Sequence, residues 1–544
     1  MKCILLLALT VLTSCSEPDM PNDTKAEIQT PWFKDVASEW GVQFTYSNGA
    51  EGQFHIKEVT GGAPALFDYD NDGDLDLYVV QGIGSQGNAL YENMDGLFVD
   101  RSQGSGANDS GYGIGVSTAD YDNDGDIDLY VTNFGMNALL RNNGDGTFTD
   151  VTTIAGVGDD GFSACSAFGD LDNDGDLDLV VTRYLDVDLI TDRECLDAMS
   201  RRTYCNPTIY EAELHDTLFL NNGDGTFTDV SVKAGLSAVK GTGLGVFITD
   251  LTGDSLPDIF IANDAMPDRL WVNLGDGTFS EDSMQRNIAM DDSGKAKAGM
   301  GATSVDIDQD GDRDVYITNI YGESDSFYRN EGDFFQDMTR RTGLAAETRA
   351  YTRWGVVFAD LDNDTRLDLY ETTGGVATGA TLHSLDDPLA EPNLLFQQIE
   401  NGRFELVRPR GGTNQILISS SHGVASGDID GDGGVDLVVV NSNTPLNILR
   451  NVVPNRGNWI SFHVLNAHGS DAIGARVELT LDDGSQLFAE VHTTSGYASA
   501  QDPRRHFGLG SKTVEMLRIH WLDGSTRVVE NPELNIIHTI KYAE

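Results

Sequence analysis

The chain is short of basic residues. Its 544 residues hold 35 Lys and Arg against 87 Asp and Glu, a formal net charge of −52. Such a field repels nucleic acid and anionic membrane surfaces. Long hydrophobic runs are also missing. The run Ile4–Leu12 is too short to span a bilayer, and no later stretch is long and apolar enough to do so. Cysteine is scarce, five in all. No Gly-Lys-Ser/Thr phosphate loop, nucleophile elbow or plausible Cys/His pair is present, so the familiar routes to phosphoryl and acyl transfer are not encoded. What the chain has in quantity is acid, glycine (60 residues) and a 40% hydrophobic content. The last argues against a disordered acidic chain and for a folded cation binder with many turns.

The first residues read as a targeting segment. Lys2 is followed by the short apolar run and then by Leu12-Thr13-Ser14-Cys15, which resembles the lipobox of bacterial lipoproteins. The resemblance implies a signal peptide over 1–14 and a lipidated Cys15, hence an anchored protein that does not span the membrane. An ordinary secretory signal is the alternative. Ser16 after the cysteine, in place of Asp, resembles the bacterial sorting pattern for the outer membrane or cell surface. Residues 15–31 then carry the anchor and a polar tether. Beyond Cys15 lie Cys165, in a strand-like run as a small buried hydrophobe, and Cys195 with Cys205 in one long insertion. Export permits a disulfide between the last two, and two free thiols is the other reading.

One pattern recurs seven times over residues 32–453. Its acidic positions are Asp68, Asp70, Asp72, Asp74 and Asp76 in the first copy, and Asp120, Asp122, Asp124, Asp126 and Asp128 in the second. The third has Asp170, Asp172, Asp174, Asp176 and Asp178, and the fifth Asp306, Asp308, Asp310, Asp312 and Asp314. The seventh has Asp428, Asp430, Asp432 and Asp436. Two copies are degenerate. The fourth keeps Asp250, Asp254 and Asp258 but has Thr252 and Ser255, and the sixth keeps Asp360, Asp362, Asp364 and Asp368 but has Thr365 for glycine. A Gly-rich apolar strand precedes each loop and a β-branched strand follows it. A hairpin such as Leu139 to Phe148, turning on Asn-Gly-Asp-Gly, comes next. A four-stranded unit of about 52 residues is one blade of a β-propeller. The seventh unit ends near Asn451 without the outer Phe-x-Asp-Val strand, and Phe33-Lys34-Asp35-Val36 supplies one. The expected fold is therefore all-β, a seven-bladed propeller whose last blade is completed by the N-terminal strand, which removes two open sheet edges.

Carboxylates at loop positions 1, 3, 5 and 9, with the backbone carbonyl at 7, converge on one point, and glycine at 6 permits the turn. Calcium, which takes about six to eight oxygens, fits that set. Magnesium prefers a stricter octahedron, and transition metals prefer His or Cys. An EF-hand needs Glu at position 12, where Val79, Val131 and Val181 stand. The seven loops hold 31 acids. Turn-capping alone would leave their repulsion unrelieved. The expectation is about five to seven calcium ions, with the Asp250 and Asp360 loops the weakest.

With these residues in view, the strand–loop–strand units resemble the FG-GAP/VCBS repeats of integrin-α-type propellers. The C-terminal residues 454–544 differ, with strand-like runs at Trp459–Leu465, Ala475–Leu481, Gln486–Thr494 and Val514–Trp521. Ala472-Ile-Gly474, His506-Phe507-Gly508-Leu509-Gly510 and Trp521-Leu522-Asp523-Gly524 resemble the ASPIC/UnbV domain of cartilage-acidic-protein-like proteins, with Leu522 where that family has Pro. The resemblance implies a small β-rich domain and an extracellular binding or adhesion role for a protein or glycan ligand. A polysaccharide lyase or hydrolase, and an assembly factor for exported proteins, are the alternatives. Other candidates are weaker. His492, His506 and His520 form either a cluster or scattered strand histidines. Lys57-Glu58 and Arg353-Trp354 line the channel or pack the ring, and Arg201-Arg202 contact a partner or stay solvated.

Overall fold

A computed structural model describes residues 30–83, 87–187, 193–197, 200–377 and 382–542. The leader, Cys15 and most of the tether lie outside them. Seven antiparallel sheets form a ring. Blade 1 runs Pro64–Phe67, Asp76–Val79, Ala89–Asn93 and Phe98–Asp100 from the inside out. Blade 4, from Gly243–Thr249 to Phe279–Glu281, and blade 5, from Gly299–Val305 to Phe335–Asp337, repeat that order. The first strand of each blade touches that of the next, from the seventh back to the first. The chain is thus an all-β, seven-bladed propeller followed by a small β-sandwich.

The seventh blade is closed as the sequence predicts. Its strands Ile418–Gly427, Asp436–Ser442 and Asn447–Asn451 are joined by Phe33–Asp35, in antiparallel register Phe33 to Asn451 and Asp35 to Leu449. Phe33 is 1% exposed and stands edge-on to Tyr370 of blade 6 at 6.0 Å. The N-terminal strand therefore seals an edge and fills a gap between blades.

Glycines in the innermost strands let the backbones of neighbouring blades approach closely. A Cβ on Gly115 would meet the Ala164 carbonyl at 2.7 Å, and one on Gly301 the Trp354 carbonyl at 2.3 Å. Threonines on the second strands bond across the same seam. The Thr132 hydroxyl donates to Ala164 O (2.7 Å), that of Thr182 to Leu244 O (2.9 Å) and that of Thr318 to Trp354 O (2.8 Å).

The C-terminal domain packs a three-stranded sheet (Asn458–Val464, Arg505–Gly510, Ile537–Ile540) on a four-stranded one (Arg476–Leu481, Gln486–Glu490, Val514–His520, Thr526–Glu530). Ile460, Phe462, Leu479 and Leu517 meet in its core. One expectation is corrected: the strand from Gln486 stops at Glu490 and does not run on to Thr494. The segment 493–502 leaves the sandwich and enters the axis of the propeller, because its backbone groups find partners on the innermost strands. Ala302 and Gly496 exchange both backbone bonds at 2.9 Å, Val116 N donates to Ala498 O (2.9 Å), and Ala500 N donates to Pro64 O (3.1 Å). Tyr497, fully buried, reaches Thr60 O with its hydroxyl (2.7 Å) and packs on Trp354 at 4.9 Å. Cys165 is buried, as expected, and its sulfur accepts from Ala498 N at 3.1 Å.

Phe33→Ala removes a ring from between two blades. It is expected to cost about 3–5 kcal/mol, read as a lower urea midpoint at unchanged slope.

Candidate metal centres

Each Asp loop joins the first strand of a blade to the second. The fourth loop residue adopts positive φ, as in Asn71 (60°) and Asn123 (57°), and so does the sixth, as in Gly73 (97°) and Gly125 (94°). Two left-handed residues in one short loop fold it back on itself. Thr365 (83°) and Ser255 (69°) take the same conformation at position six, a strained one for residues with a Cβ.

The first carboxylate caps the loop from inside. Asp120 accepts from Asp124 N and Gly125 N, both at 3.0 Å, and Asp68 accepts likewise from Asp72 N and Gly73 N. The ninth joins the loop to the hairpin. Asp128 accepts from Tyr121 N (3.2 Å) and Asn142 N (2.7 Å), and Asp76 from Tyr69 N (3.0 Å) and Asn93 N (2.8 Å). The first, third and ninth carboxylates then converge. In five loops one oxygen from each lies within 4.8 Å of the others: Asp68, Asp70 and Asp76; Asp120, Asp122 and Asp128; Asp170, Asp172 and Asp178; Asp306, Asp308 and Asp314; and Asp360, Asp362 and Asp368.

The fifth and seventh positions stand differently. Asp72, Asp124, Asp174 and Asp310 each accept the N–H of residue seven, at 2.9–3.1 Å. At position seven, Asp126 accepts from Asn71 of blade 1 (2.9 Å), and Asp176 from Asn123 of blade 2 (2.7 Å), so these side chains latch neighbouring loops. Asp74 and Asp312 take position seven in their loops, beside Asp72 and Asp310.

The degenerate loops diverge from each other. The Asp360 loop gathers its carboxylates like the full ones, although Asp364 pairs with Arg366. In the Asp250 loop the guanidinium of Arg476, from the C-terminal domain, lies 2.8 Å from Asp250. Asp254 caps Leu256 N (3.0 Å), and Asp258 keeps its bonds to Leu251 N and Asn273 N. In the seventh loop Arg450 lies 2.6 Å from Asp430, and Arg456 2.6 Å from Asp432, while Asp428 and Asp436 are capped by Gly433 N and Asn451 N.

Burial dominates the electrostatics, with neighbouring carboxylates adding to it. It lifts the pKa of Asp68, Asp122, Asp170 and Asp306 to about 6, and of Asp76, Asp178 and Asp314 to about 8. One oxygen each of Asp122, Asp362, Asp428 and Asp430 is buried with no hydrogen-bond partner among the described residues. Crowded, desolvated carboxylate oxygens with unused lone pairs, and no sulfur or imidazole among them, fit a hard divalent cation.

Sequence reasoning missed a second ring of residues. The amide closing each third strand donates to the position-two carbonyl of the preceding blade: Asn142 to Tyr69 O (2.8 Å), Asn221 to Tyr121 O (2.8 Å), Asn273 to Leu171 O (2.7 Å) and Asn330 to Leu251 O (3.0 Å). Gln398 to Ile307 O (3.4 Å), Asn451 to Leu361 O (2.8 Å) and Asn93 to Ile429 O (3.2 Å) complete the circle. The signal was an asparagine at the same place in nearly every unit.

The remaining candidates fall apart or find structural roles. His492 contacts Arg505 (3.2 Å), His506 contacts Asn363 (2.8 Å) and His520 lies 3.7 Å from Glu478, each with its own partner. Arg353 is fully buried on Asp325 at 2.6 Å. Lys57 lies over the Tyr112 ring at 4.1 Å. Cys195 and Cys205 form a disulfide.

The ring of blades carries FG-GAP-like repeats, and the sandwich that follows it carries an ASPIC and UnbV domain. The FG-GAP-like repeat pattern matches residues 68–131, 120–181, 250–317 and 306–371, and the ASPIC and UnbV pattern matches 466–544. Cartilage acidic protein 1 of Xenopus tropicalis is 27% identical over 336 residues, 59% of this chain and 48% of that protein. The Homo sapiens protein of that name is 26% identical over 334 residues, 59% of this chain and 47% of that one. The chain thus spans about half the length of the curated relatives it matches. Among solved structures, an Agrocybe aegerita lectin that recognises non-reducing terminal N-acetylglucosamine aligns at TM-score 0.38 and 17% identity, over 72% of this chain and 89% of that one. YCF48 from Cyanidioschyzon merolae aligns at 0.39 and 10%, over 72% and 96%.

Carboxyls whose pKa is raised on folding hold more protons in the native than in the unfolded state. Their contribution is favourable at low pH and is lost as pH rises from about 4 to about 8. The melting temperature of chelated protein is expected to fall between pH 5 and 8.5, and a divalent cation to abolish that fall. A flat or rising profile without metal would refute the electrostatic picture.

Proposed function

We propose that the chain is a calcium-binding lipoprotein of the bacterial cell envelope whose propeller is a binding module for an extracellular protein or glycan. One observation carries the calcium reading: five clusters of aspartate oxygens, each drawn from positions one, three and nine of a loop, with the ninth buried in every one. Asp120, Asp122 and Asp128 would hold an ion in the second loop, with Asp124 beside them, and the other loops would use the same positions. The ion supplies positive charge where acids are packed together. It performs no chemistry, and its effect is to fix the loops on which the C-terminal domain rests.

The binding reading rests on the charge of −52, which disfavours nucleic acid, and on the long insertions that loops of a rigid ring can present to a partner. Anchorage rests on Leu12-Thr13-Ser14-Cys15, and Ser16 supports the outer membrane or cell surface as its site.

Residues 16–544 should be stripped with chelator and titrated with calcium while thermal unfolding and bound metal are followed. The expected result is about five to seven ions and a higher melting temperature, each site adding about 2.7 kcal/mol at a hundred times its Kd. Asp122→Asn should remove one ion while leaving the chelated protein as stable as before or more so. No bound calcium, or no change in stability, refutes the proposal. For the anchor, labelled palmitate should enter the full-length chain in cells and be absent from Cys15→Ser.

A further inference from the structure

The face opposite the Asp loops carries a cleft of about 550 Å³. Its walls come from three places: the segment before blade 1 (Phe54, Glu58), the insertion between the second and third strands of blade 3 (Tyr204), and the matching segment of blade 6 (Asp387). Its floor is His422 and Ser442 of blade 7. Neither the calcium reading nor the docking of the C-terminal domain uses these residues.

The floor shows what the cleft lacks. His422 is 1% exposed, and its Nδ1 lies 2.7 Å from the carbonyl oxygen of Gly61. A carbonyl only accepts, so Nδ1 carries the proton and Nε2 presents a lone pair. Burial supports this by pushing the ring's pKa down to about 4, which leaves it neutral. Nε2 is buried with no partner among the described residues, and Trp354 packs on the ring at 4.7 Å. Ser442 is 5% exposed, and its hydroxyl is likewise buried without a partner. Buried polar atoms are almost always satisfied, so two in one cleft wall point to a ligand that brings hydroxyl groups.

The walls narrow the class. Phe54 and Tyr204 meet edge to face at 5.2 Å and give the cleft an apolar side. The Tyr204 hydroxyl donates to Glu58 at 3.0 Å, which leaves carboxylate lone pairs on a residue 3% exposed. Arg201 and Arg202 at the rim are paired with Asp197 (2.7 Å) and Glu194 (2.9 Å). Carboxylates in the wall and paired arginines disfavour an anion, and a single imidazole lone pair is a poor metal site. An uncharged ligand with hydroxyls on its rim and an apolar face matches the wall, and the volume falls within the range of about 300–1,000 Å³ usual for small-ligand sites.

We propose that this cleft is a saccharide site, taking a neutral pyranose with one hydroxyl donating to His422 Nε2 and another bonded to Ser442. The proposal rests on the binding-module reading and gives it a location. The calcium-loaded chain of residues 16–544 should be mixed with millimolar methyl glycosides of glucose, galactose, mannose, fucose and N-acetylglucosamine, and saturation transfer to each sugar measured by NMR. Transfer to at least one sugar is expected, weakened about tenfold or more in Ser442→Ala and in His422→Gln. Ser442→Ala deletes only an unpartnered hydroxyl, so its melting temperature should be unchanged or higher, which separates lost binding from lost folding. No transfer to any sugar of the set overturns the proposal. Transfer that survives both substitutions overturns this site while leaving the binding-module reading standing.

Discussion

A ring of blades holds together only if every seam is closed, and here every seam carries a side-chain amide bond of one kind. Asn142 illustrates the joint. Its N–H is accepted by Asp128, the ninth residue of its own loop, while its side chain donates to Tyr69 O in the blade before. The same carboxylate also accepts from Tyr121 N. One aspartate thus ties together loop, hairpin and, through the asparagine, the neighbouring blade. This explains why position nine survives in the Asp250 loop after position three has become Thr252: Asp258 still holds Asn273, and Asn273 still reaches Leu171. The ninth aspartate is thus held in place by the ring's own hydrogen bonds.

The Asp loops also form the surface on which the C-terminal domain rests, and its arginines answer them where the repeat weakens. Arg476 faces Asp250 in the degenerate fourth loop. Arg504 bridges the seam between first and last blades, donating to Gly73 O (3.4 Å) and Asp428 O (3.5 Å). At that seam the fourth position of the seventh loop is Gly431, which has no amide to send to the next loop as Asn71 and Asn123 do. Positive charge on a strongly acidic chain is placed where the repeat's own interactions are missing.

Most of this order was legible in the sequence, because a repeat writes the same local chemistry many times. The blades, the loops and the closing strand Phe33–Asp35 could be read from the spacing of Asp, Gly and Phe. The axial segment could not. Thr493 to Asp502 is a run of small and polar residues around one tyrosine, with no periodicity, and its strand-like beginning reads as a continuation of Gln486–Glu490. Its partners are backbone groups of strands hundreds of residues away, which no local pattern encodes. The cleft was half-visible. Glu58 and the Arg201-Arg202 insertion stood out, but His422 sits in an ordinary inner strand, and only the fold reveals its bare nitrogen.

The two ends of the chain meet the ring in opposite ways, one at its outer edge and one at its axis. Asp35 is bonded to Asn447, 412 residues later, and Thr60 to Tyr497, 437 residues later. The strand Phe33–Asp35 must therefore wait for the last blade, and the axis stays unfilled until three of the sandwich's seven strands have been made. Contacts so distant along the chain are slow to form. Until residues 447–451 are in place the ring cannot close, and two sheet edges are left without their native partners over most of the chain's length.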